Sequence, residues 1–281
     1  MDKLTLTPAE AVSAYINGAK AKVTTPFIKL MIKAIFAGMM IAFGAAGSQM
    51  ASHAVTNPGL AKLIAGAVFP MGLMMVVLTG SELFTGDCLM GMAAIRKEIK
   101  RKDTLRVLIL VYIGNFIGSF IVAGLAFLSG QFAFNGGMLG AYAIKTAAAK
   151  CSLEFLPALA SGILCNILVC AAVFLALTAK EATGKMLACF FIILLFVTSG
   201  YEHCVANMFY IPAGLLAKTN PDFVKIAAES FGITAEQISN VNIISMLVNN
   251  LLPVTLGNII GGMFIFGIPL EFAVRKSSEK K

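Results

Sequence analysis

Long apolar stretches set the pattern of this sequence. They occur near residues 30–54, 60–79, 107–128, 156–179, 186–216 and 243–272. A helix needs about 20 apolar residues to cross the hydrocarbon core of a bilayer, and the stretch at 107–128 contains no charged side chain. A soluble core does not supply six such stretches, so the pattern predicts an all-α membrane protein with six transmembrane helices.

The first 25 residues follow a different pattern, with apolar positions on one face of a predicted helix. Thr7 and Glu10 have the spacing of a capping box, and Pro8 takes the first helical position. The apolar face is made of Val12, Tyr15, Ile16 and Ala19. The segment lacks the apolar block of a secretory signal, so we expect residues 1–25 to form an amphipathic helix at the membrane surface or against a neighbouring subunit.

The charged residues predict how the chain is oriented in the membrane, because they are few and are unevenly distributed between its two sides. Only 13% of the residues are charged, 58% are hydrophobic, and the net charge is +8. If both termini lie on one side, the other side holds five of the 22 basic residues: Lys62, Lys145, Lys150, Lys218 and Lys225. The other 17 give a positive-inside bias. The chain is therefore predicted to be a multi-pass protein of the cell (inner or plasma) membrane with cytoplasmic termini and no nucleic-acid partner.

The cysteines and histidines indicate no metal or redox centre. None of the six cysteines forms a CxxC pair. A haem held within the bilayer would need two facing histidines, but His53 falls at the end of the first span, where we interpret it as an interface residue. We therefore predict no metal, no cofactor and no enzymatic activity.

The two halves of the chain resemble each other. GNFIG at 114–118 matches GNIIG at 257–261, and Ala37-Gly38 parallels Ser161-Gly162. Between these markers, GSE at 80–82 and GYE at 200–202 each place glycine and glutamate inside an apolar stretch. Each half then has three spans with an interrupted middle span, and an odd number of spans reverses the second half in the membrane.

This repeat defines the predicted organisation of the chain. Residues 1–281 form one channel domain, in which an inverted 3+3 repeat of residues 26–128 and 155–272 precedes a cytoplasmic tail at 273–281. Broken helices of inverted repeats place a permeation site near the bilayer midplane. The free N–H groups at half-helix N-termini favour anions.

Ionisable residues at membrane depth usually mark function. Glu82 and Glu202 are equivalent in the repeat, and each is predicted to hold its break in shape by accepting hydrogen bonds from freed backbone N–H groups; a proton relay is the alternative. His203 can donate a hydrogen bond to an anion or lend it a proton near neutral pH. Thr85 could face His203 across the pore and donate a second hydrogen bond.

At these residues the chain resembles the formate/nitrite transporter family. The motifs that carry the resemblance are GSELFTG at 80–86, GILCNILVC at 162–170, GYEHCVANM at 200–208 and NLLPVTLGNIIGG at 250–262. The similarity extends from about residue 8 to residue 272. One departure is Asp87, where many relatives carry a neutral polar residue.

The resemblance implies an aquaporin-like protomer with one pore, assembled as a homopentamer in the lipid bilayer. It implies His203 and Thr85 as the central pair, Lys150 in the outer cationic funnel, and Lys22 or Lys20 as its inward-facing counterpart. It also implies a pore-side asparagine at Asn166. Its hydrophobic constrictions fall on Phe69 and Phe196 on one side of the histidine and on Leu73, Leu83 and Phe84 on the other.

The predicted function is a channel or transporter for small monovalent anions, namely formate, nitrite or hydrosulfide, with neutralisation of the anion at the central histidine. The motifs do not separate these ions. The alternative is an aquaporin-like pore for water or small neutral solutes. That alternative predicts Asn-Pro-Ala motifs at the breaks, whereas Asn57-Pro58 and Asn220-Pro221 fall in predicted loops and lack the alanine.

The charge distribution makes a direct prediction about topology. Labelling of single cysteines introduced into the chain in intact cells should reach the 217–240 segment, because that segment is predicted to lie outside. The basic 96–106 loop should react only after the membrane is permeabilised. Labelling of the 96–106 loop from outside would overturn the proposed orientation.

Overall fold

The computed structural model describes residues 4–275, and the six predicted spans are present in it. The spans are Phe27–Ser52, Pro58–Thr79, Arg101–Leu128, Phe155–Thr178, Ala182–Ser199 and Ile243–Val274. Between residues 4 and 275 the chain contains no β-strand, only an isolated bridge between Thr5 and Ala179. The predicted tail beyond residue 275, and the basic residues Lys3, Lys276, Lys280 and Lys281, lie outside the described residues.

The N-terminal helix, Pro8–Thr24, begins with the predicted capping box. The Thr7 hydroxyl accepts the Glu10 N–H at 3.4 Å, and the Thr7 N–H donates to the Glu10 carboxylate at 2.7 Å. The apolar face is buried against the chain itself, and the Tyr15 hydroxyl donates to the Gly86 carbonyl at 2.9 Å. This face therefore packs on its own protomer, and contact of the helix with the membrane surface or a neighbouring subunit stays a prediction. We call the side of the protein that carries this helix the terminal face, and the other side the opposite face.

The middle span of each half is broken, as predicted. The second span ends at Gly80 and the fifth at Gly200, both with left-handed backbone (φ of 64° and 74°) that favours glycine. After three further residues, short half-helices begin, Phe84–Ile95 in the first half and Cys204–Ala217 in the second. The chain thus leaves the helix at two places that the surrounding spans enclose.

A buried asparagine holds the first break in place. The Asn115 amide group donates to the carbonyls of Ala34 at 2.7 Å and Glu82 at 3.0 Å. Its oxygen accepts the Phe84 N–H at 2.9 Å. Asn115 therefore satisfies the first backbone donor of the half-helix and a carbonyl of the loop, in a place without bulk water.

Asn258 performs the same task at the second break. Its amide group donates to the carbonyls of Gly162 at 2.8 Å and Glu202 at 3.0 Å, and its oxygen accepts the Cys204 N–H at 3.0 Å. The matching contacts confirm the inverted repeat. They pair Gly162 with Ala34, one helical turn before the Gly38 that the sequence comparison suggested.

Glycines let the spans that carry these asparagines approach their neighbours closely. A Cβ atom on Gly118 would lie 2.0 Å from the Ile35 carbonyl oxygen, and one on Gly261 would lie 2.2 Å from that of Ile163. Only glycine allows contact at this distance, so the third and sixth spans pack backbone to backbone on the first and fourth.

Two short helices lie on the opposite face, between the second half-helix and the sixth span. Pro221–Phe231 begins with Asn220 as its N-cap and ends at Gly232, and Ala235–Asn240 begins with a capping box between Thr234 and Gln237. Asn57 similarly caps the helix at Pro58–Val68. The two Asn-Pro pairs are therefore helix caps outside the breaks.

The paired asparagines predict a specific effect on stability. Asn258→Ala should lower the melting temperature and the yield of assembled protein, because the Cys204 N–H and two carbonyls lose their hydrogen-bond partner. Each buried group left without a partner lowers the free energy of unfolding by about 1–3 kcal/mol. Asn249→Ala is the matched control, because the Asn249 side chain is only half-buried and donates one hydrogen bond, to Cys151. Equal thermal stability of the two variants in detergent would contradict this account of the break.

Candidate functional site

Two cavities reach into the protein from its two faces. The cavity on the opposite face, of about 450 Å³, is lined by Lys150, Glu202, Phe69, Phe196 and His203, among others. The cavity on the terminal face, of about 260 Å³, is lined among others by Tyr15, Lys22, Asp87, Leu73 and Leu83. We call them the opposite vestibule and the terminal vestibule. They approach each other where the two broken helices meet.

His203 and Thr85 are in contact between the vestibules, as the sequence suggested. The His203 Nε2 atom lies 2.9 Å from the Thr85 hydroxyl oxygen. Both residues start half-helices of opposite direction, since His203 caps Cys204–Ala217 and Thr85 is the second residue of Phe84–Ile95. The pair is therefore built at the junction of the two repeats, with both side chains buried.

The hydrogen bonds of His203 fix where its proton lies. Its Nδ1 atom accepts the backbone N–H of Ala206 at 3.0 Å, so Nδ1 carries no proton. In a neutral imidazole the proton is then on Nε2, and Nε2–H donates to Thr85. A second proton could be added only at Nδ1, and this would break the helix cap.

Aromatic rings border the central pair on the side of the opposite vestibule. Phe69 and Phe196 meet edge to face with ring centroids 5.9 Å apart, and Phe196 lies 6.0 Å from the His203 ring. Both phenylalanines are almost completely buried. The structure thus places Phe196 directly beside the histidine and Phe69 against Phe196.

The predicted constriction on the other side is only partly assembled. Leu73 and Leu83 line the terminal vestibule. Phe84 does not; its ring turns to Tyr112, with centroids 4.9 Å apart. Phe84 is the first residue of its half-helix, and its side chain points towards the third span. The ring therefore packs the half-helix against that span and does not face the vestibule.

In the opposite vestibule, Lys150 pairs with Glu202. The ammonium nitrogen lies 2.9 and 3.0 Å from the two carboxylate oxygens. Asn207 donates to Glu202 at 2.7 Å and to the Asn250 oxygen at 2.6 Å, and Asn250 donates to the Lys150 carbonyl at 3.1 Å. Tyr210 places its ring 5.3 Å from the ammonium group. Among the described residues, Glu202 accepts hydrogen bonds from these side chains and from no backbone N–H, so the prediction that it satisfies freed backbone donors was wrong. It instead links the break to the lysine that the family resemblance implied.

In the terminal vestibule, Lys22 forms the corresponding contacts. Its ammonium group pairs with Asp87 and lies 2.6 Å from Glu82, which also accepts a hydrogen bond from Lys33 at 3.0 Å. Burial opposes the charge on Lys22, but the neighbouring groups, Asp87 foremost, outweigh it and raise the pKa of the ammonium group above its ordinary value. Lys20 instead pairs with Glu98 at the exposed surface. Of the two candidate lysines, only Lys22 lines the vestibule.

Two further predicted residues are buried outside the vestibules. Asn166 donates to the carbonyls of Thr85 at 3.2 Å and Asn258 at 2.6 Å, so it supports the central threonine from behind. His53 lies within hydrogen-bonding distance of the Met50 carbonyl and of Asn135, and it packs against Phe134. Its interface role stays a prediction.

Several residues of the site escaped the sequence analysis. Asn207 could have been found, because it follows Glu202 at the same distance as Asp87 follows Glu82. Asn250 lies in a widened π-helical turn, Met246–Leu251, that no sequence signal indicated. Lys62 and Lys145 also line the opposite vestibule. The position of a lysine on a helix does not indicate which cavity its side chain lines.

Most of the chain matches a known protein family. The family profile described as "Formate/nitrite transporter" matches residues 9–272. The chain belongs to the formate/nitrite transporter family. It is 37% identical to "Formate channel FocA" of Haemophilus influenzae, covering 95% of this chain and 94% of that protein. It is 32% identical to the protein of the same name in Escherichia coli K12, covering 94% and 92%.

Solved structures of the family have the same fold. A "Pentameric formate channel with formate bound" is similar with a TM-score of 0.78 and 33% identity, covering 89% of this chain and 98% of that one. An "FNT family ion channel" has the same TM-score at 25% identity, covering 94% and 98%. The six apolar spans and these relatives establish a multi-pass membrane protein.

The tautomer of His203 is open to direct measurement. The chain has two histidines, so a ¹⁵N spectrum of histidine-labelled protein contains two rings, and His203→Asn assigns them. We expect the His203 ring to be protonated on Nε2 and unprotonated on Nδ1, because Ala206 donates to Nδ1. A proton on Nδ1 of the neutral ring would contradict the observed cap.

Proposed function

We propose that this chain is a membrane channel for formate or another small monovalent anion, with nitrite and hydrosulfide as the other candidate ions. The observation that supports this most is the convergence of two lysine-bearing vestibules on one buried hydrogen-bonding pair, His203 and Thr85, between apolar side chains. The names of the relatives favour formate first. The ion pairs of both vestibules provide cations at positions where an anion would approach from either side.

The lysines act first in the proposed mechanism. Clustered cations at the mouth of a narrow, low-dielectric cavity raise the local concentration of anions. Lys150 is suited to this because Glu202, Asn250 and Tyr210 fix its position while the vestibule stays open beside it. Lys22 has the same place in the terminal vestibule.

Dehydration is the difficult step. An anion between Phe69, Phe196, Leu73 and Leu83 loses most of its water, and desolvation raises the proton affinity of a carboxylate. An anion that takes up a proton there crosses the constriction as a neutral acid. The low dielectric that blocks the ion thus favours its neutral form.

His203 and Thr85 serve as the hydrogen-bonding site for the solute in this proposal. His203 provides Nε2–H, and the Thr85 hydroxyl keeps its own proton for donation. Because Nδ1 is occupied by Ala206, His203 cannot gain a proton without losing its cap. We therefore propose that the proton that neutralises the anion at the histidine comes from the bulk solution as hydronium in the vestibule, which becomes water when the anion becomes the neutral acid.

Assembly and orientation complete the proposal. We infer a homopentamer in the lipid bilayer, by analogy with the pentameric relative, with each protomer enclosing its own pathway. Large apolar side chains on the outside of the protomer, such as Phe36, Phe43, Phe120 and Phe191, provide surface for lipid and neighbouring subunits. The positive-inside bias supports cytoplasmic termini.

The proposal is tested by flux measurements in proteoliposomes. Formate, nitrite, hydrosulfide and chloride are compared side by side across pH, and water permeability is measured in the same vesicles by light scattering. We expect formate flux that rises as pH falls, with little chloride flux, because chloride forms no neutral acid near neutral pH. Fast water flux without anion flux would favour the aquaporin-like alternative.

Two substitutions of His203 separate its possible roles. His203→Asn retains a donor but cannot exchange a proton, so it should keep part of the formate flux and the same pH profile if hydronium in the vestibule supplies the proton. His203→Phe removes the donor and should abolish anion flux. A pH profile that becomes flat in His203→Asn would show that the ring itself relays the proton.

A further inference from the structure

The internal repeat aligns a charged residue in one vestibule with a neutral one in the other. Glu82 and Glu202 are equivalent, and the residues five positions later are Asp87 and Asn207. Both are almost completely buried, both are the fourth residue of a half-helix, and both belong to the ion-pair cluster of their own vestibule. The two clusters therefore have the same layout but a different charge.

In the opposite vestibule the equivalent position adds no charge. Asn207 donates to Glu202, so Lys150 faces a single carboxylate whose negative charge is spread over several donors. The described residues that line this vestibule include three lysines, Lys62, Lys145 and Lys150, and one carboxylate. An anion there meets an excess of positive charge.

In the terminal vestibule Asp87 adds a second carboxylate to the lysine. Lys22 contacts both Asp87 and Glu82. The described lining residues include two lysines, Lys22 and Lys185, and one carboxylate, Asp87. The other carboxylate oxygen of Asp87, Oδ2, is buried and accepts no hydrogen bond from the described residues. Lys22 is thus the cation paired with Asp87, and the negative charge of Asp87 offsets the positive charge of Lys22.

We propose that Asp87 sets the anion affinity of the terminal vestibule by compensating the charge of Lys22, so that transport saturates at a higher anion concentration from the terminal face than from the opposite face. This inference rests on the proposed anion transport. Asp87 is a positioning residue here, because it acts through Lys22 rather than by touching the anion.

The physical basis is the weak screening of buried charges. Salt screens exposed charges within about 10 Å at 0.1 M ionic strength, but buried pairs are screened much less. Asp87 is 1% exposed, so its field acts on the vestibule beside Lys22 at physiological salt. A neutral amide at residue 87 would leave the positive charge of Lys22 available to an incoming anion.

Thermodynamics restricts what the asymmetry can change. A passive pathway without a driving force has the same permeability in both directions at low concentration, since equilibrium allows no net flux. The difference between the faces must appear in the half-saturating concentration, measured with anion on one side only. A lower half-saturating concentration on one side is then matched by a lower maximal flux from that side.

The experiment compares Asp87→Asn and Asp87→Glu with wild type. Formate flux is measured in right-side-out and inside-out membrane vesicles, with formate supplied on one side. Asp87→Asn should lower the half-saturating concentration from the terminal face roughly tenfold, or about 1.4 kcal/mol, and leave that from the opposite face unchanged. Asp87→Glu keeps the charge and should resemble wild type.

The control isolates the action through Lys22. In a Lys22→Gln background, Asp87→Asn should have little effect on the half-saturating concentration, because a buried carboxyl without its cation takes up a proton and is then already neutral. Added salt should weaken formate binding from the terminal face more in Asp87→Asn than in wild type. Size-exclusion chromatography and thermal melting of all variants show whether a change arises from lost assembly.

The outcomes are distinct from those of the proposed function. If wild type carries no formate, the proposed function fails. If wild type carries formate but Asp87→Asn leaves the half-saturating concentration from the terminal face unchanged, or shifts both faces equally, the inference is wrong. An effect of Asp87→Asn that persists in full without Lys22 also overturns it.

Discussion

The architecture depends on one constraint, which is that backbone leaving a helix inside a membrane must find hydrogen-bond partners within the protein. Two breaks at membrane depth expose the first N–H groups of the half-helices and the carbonyls of the preceding loops. Asn115 and Asn258 satisfy these groups with the same set of contacts in both halves. Each asparagine reaches its break because Gly118 and Gly261 allow the spans to pack at backbone distance.

The central site follows from these breaks. His203 is both the cap of one half-helix and the donor to Thr85 at the start of the other. A structural bond to Ala206 thereby fixes the chemistry of the ring, since it leaves Nε2–H as the atom directed at the junction. Phe69, Phe196, Leu73 and Leu83 lie on either side of this pair, so in the proposed mechanism the hydrogen-bonding groups and the apolar side chains act on the same dehydrated solute.

Each vestibule of the proposed pathway contains its own cluster of charged residues. Each vestibule carries a lysine that pairs with the glutamate of its break. Among the described residues these carboxylates accept hydrogen bonds from side chains only, so the glutamates position the lysines while Asn115 and Asn258 hold the backbone of the breaks. The repeat relates the charged clusters of the two vestibules. The clusters differ in charge because one contains Asp87 where the other contains Asn207. Membership of the formate/nitrite transporter family agrees with this arrangement.

The sequence by itself determined the spans, the capped N-terminal helix and the two broken helices, because hydropathy, caps and the repeat depend on local residue order. The pairing of His203 with Thr85 was one possibility from the repeat, and the family resemblance implied it. Tertiary structure alone decided which side chains face the vestibules. It placed Lys22 in the vestibule and Lys20 at the surface, turned Phe84 towards Tyr112, paired Gly162 with Ala34, and brought Asn250 to Glu202. These outcomes depend on the rotation of each helix about its axis, which is fixed by packing against distant spans.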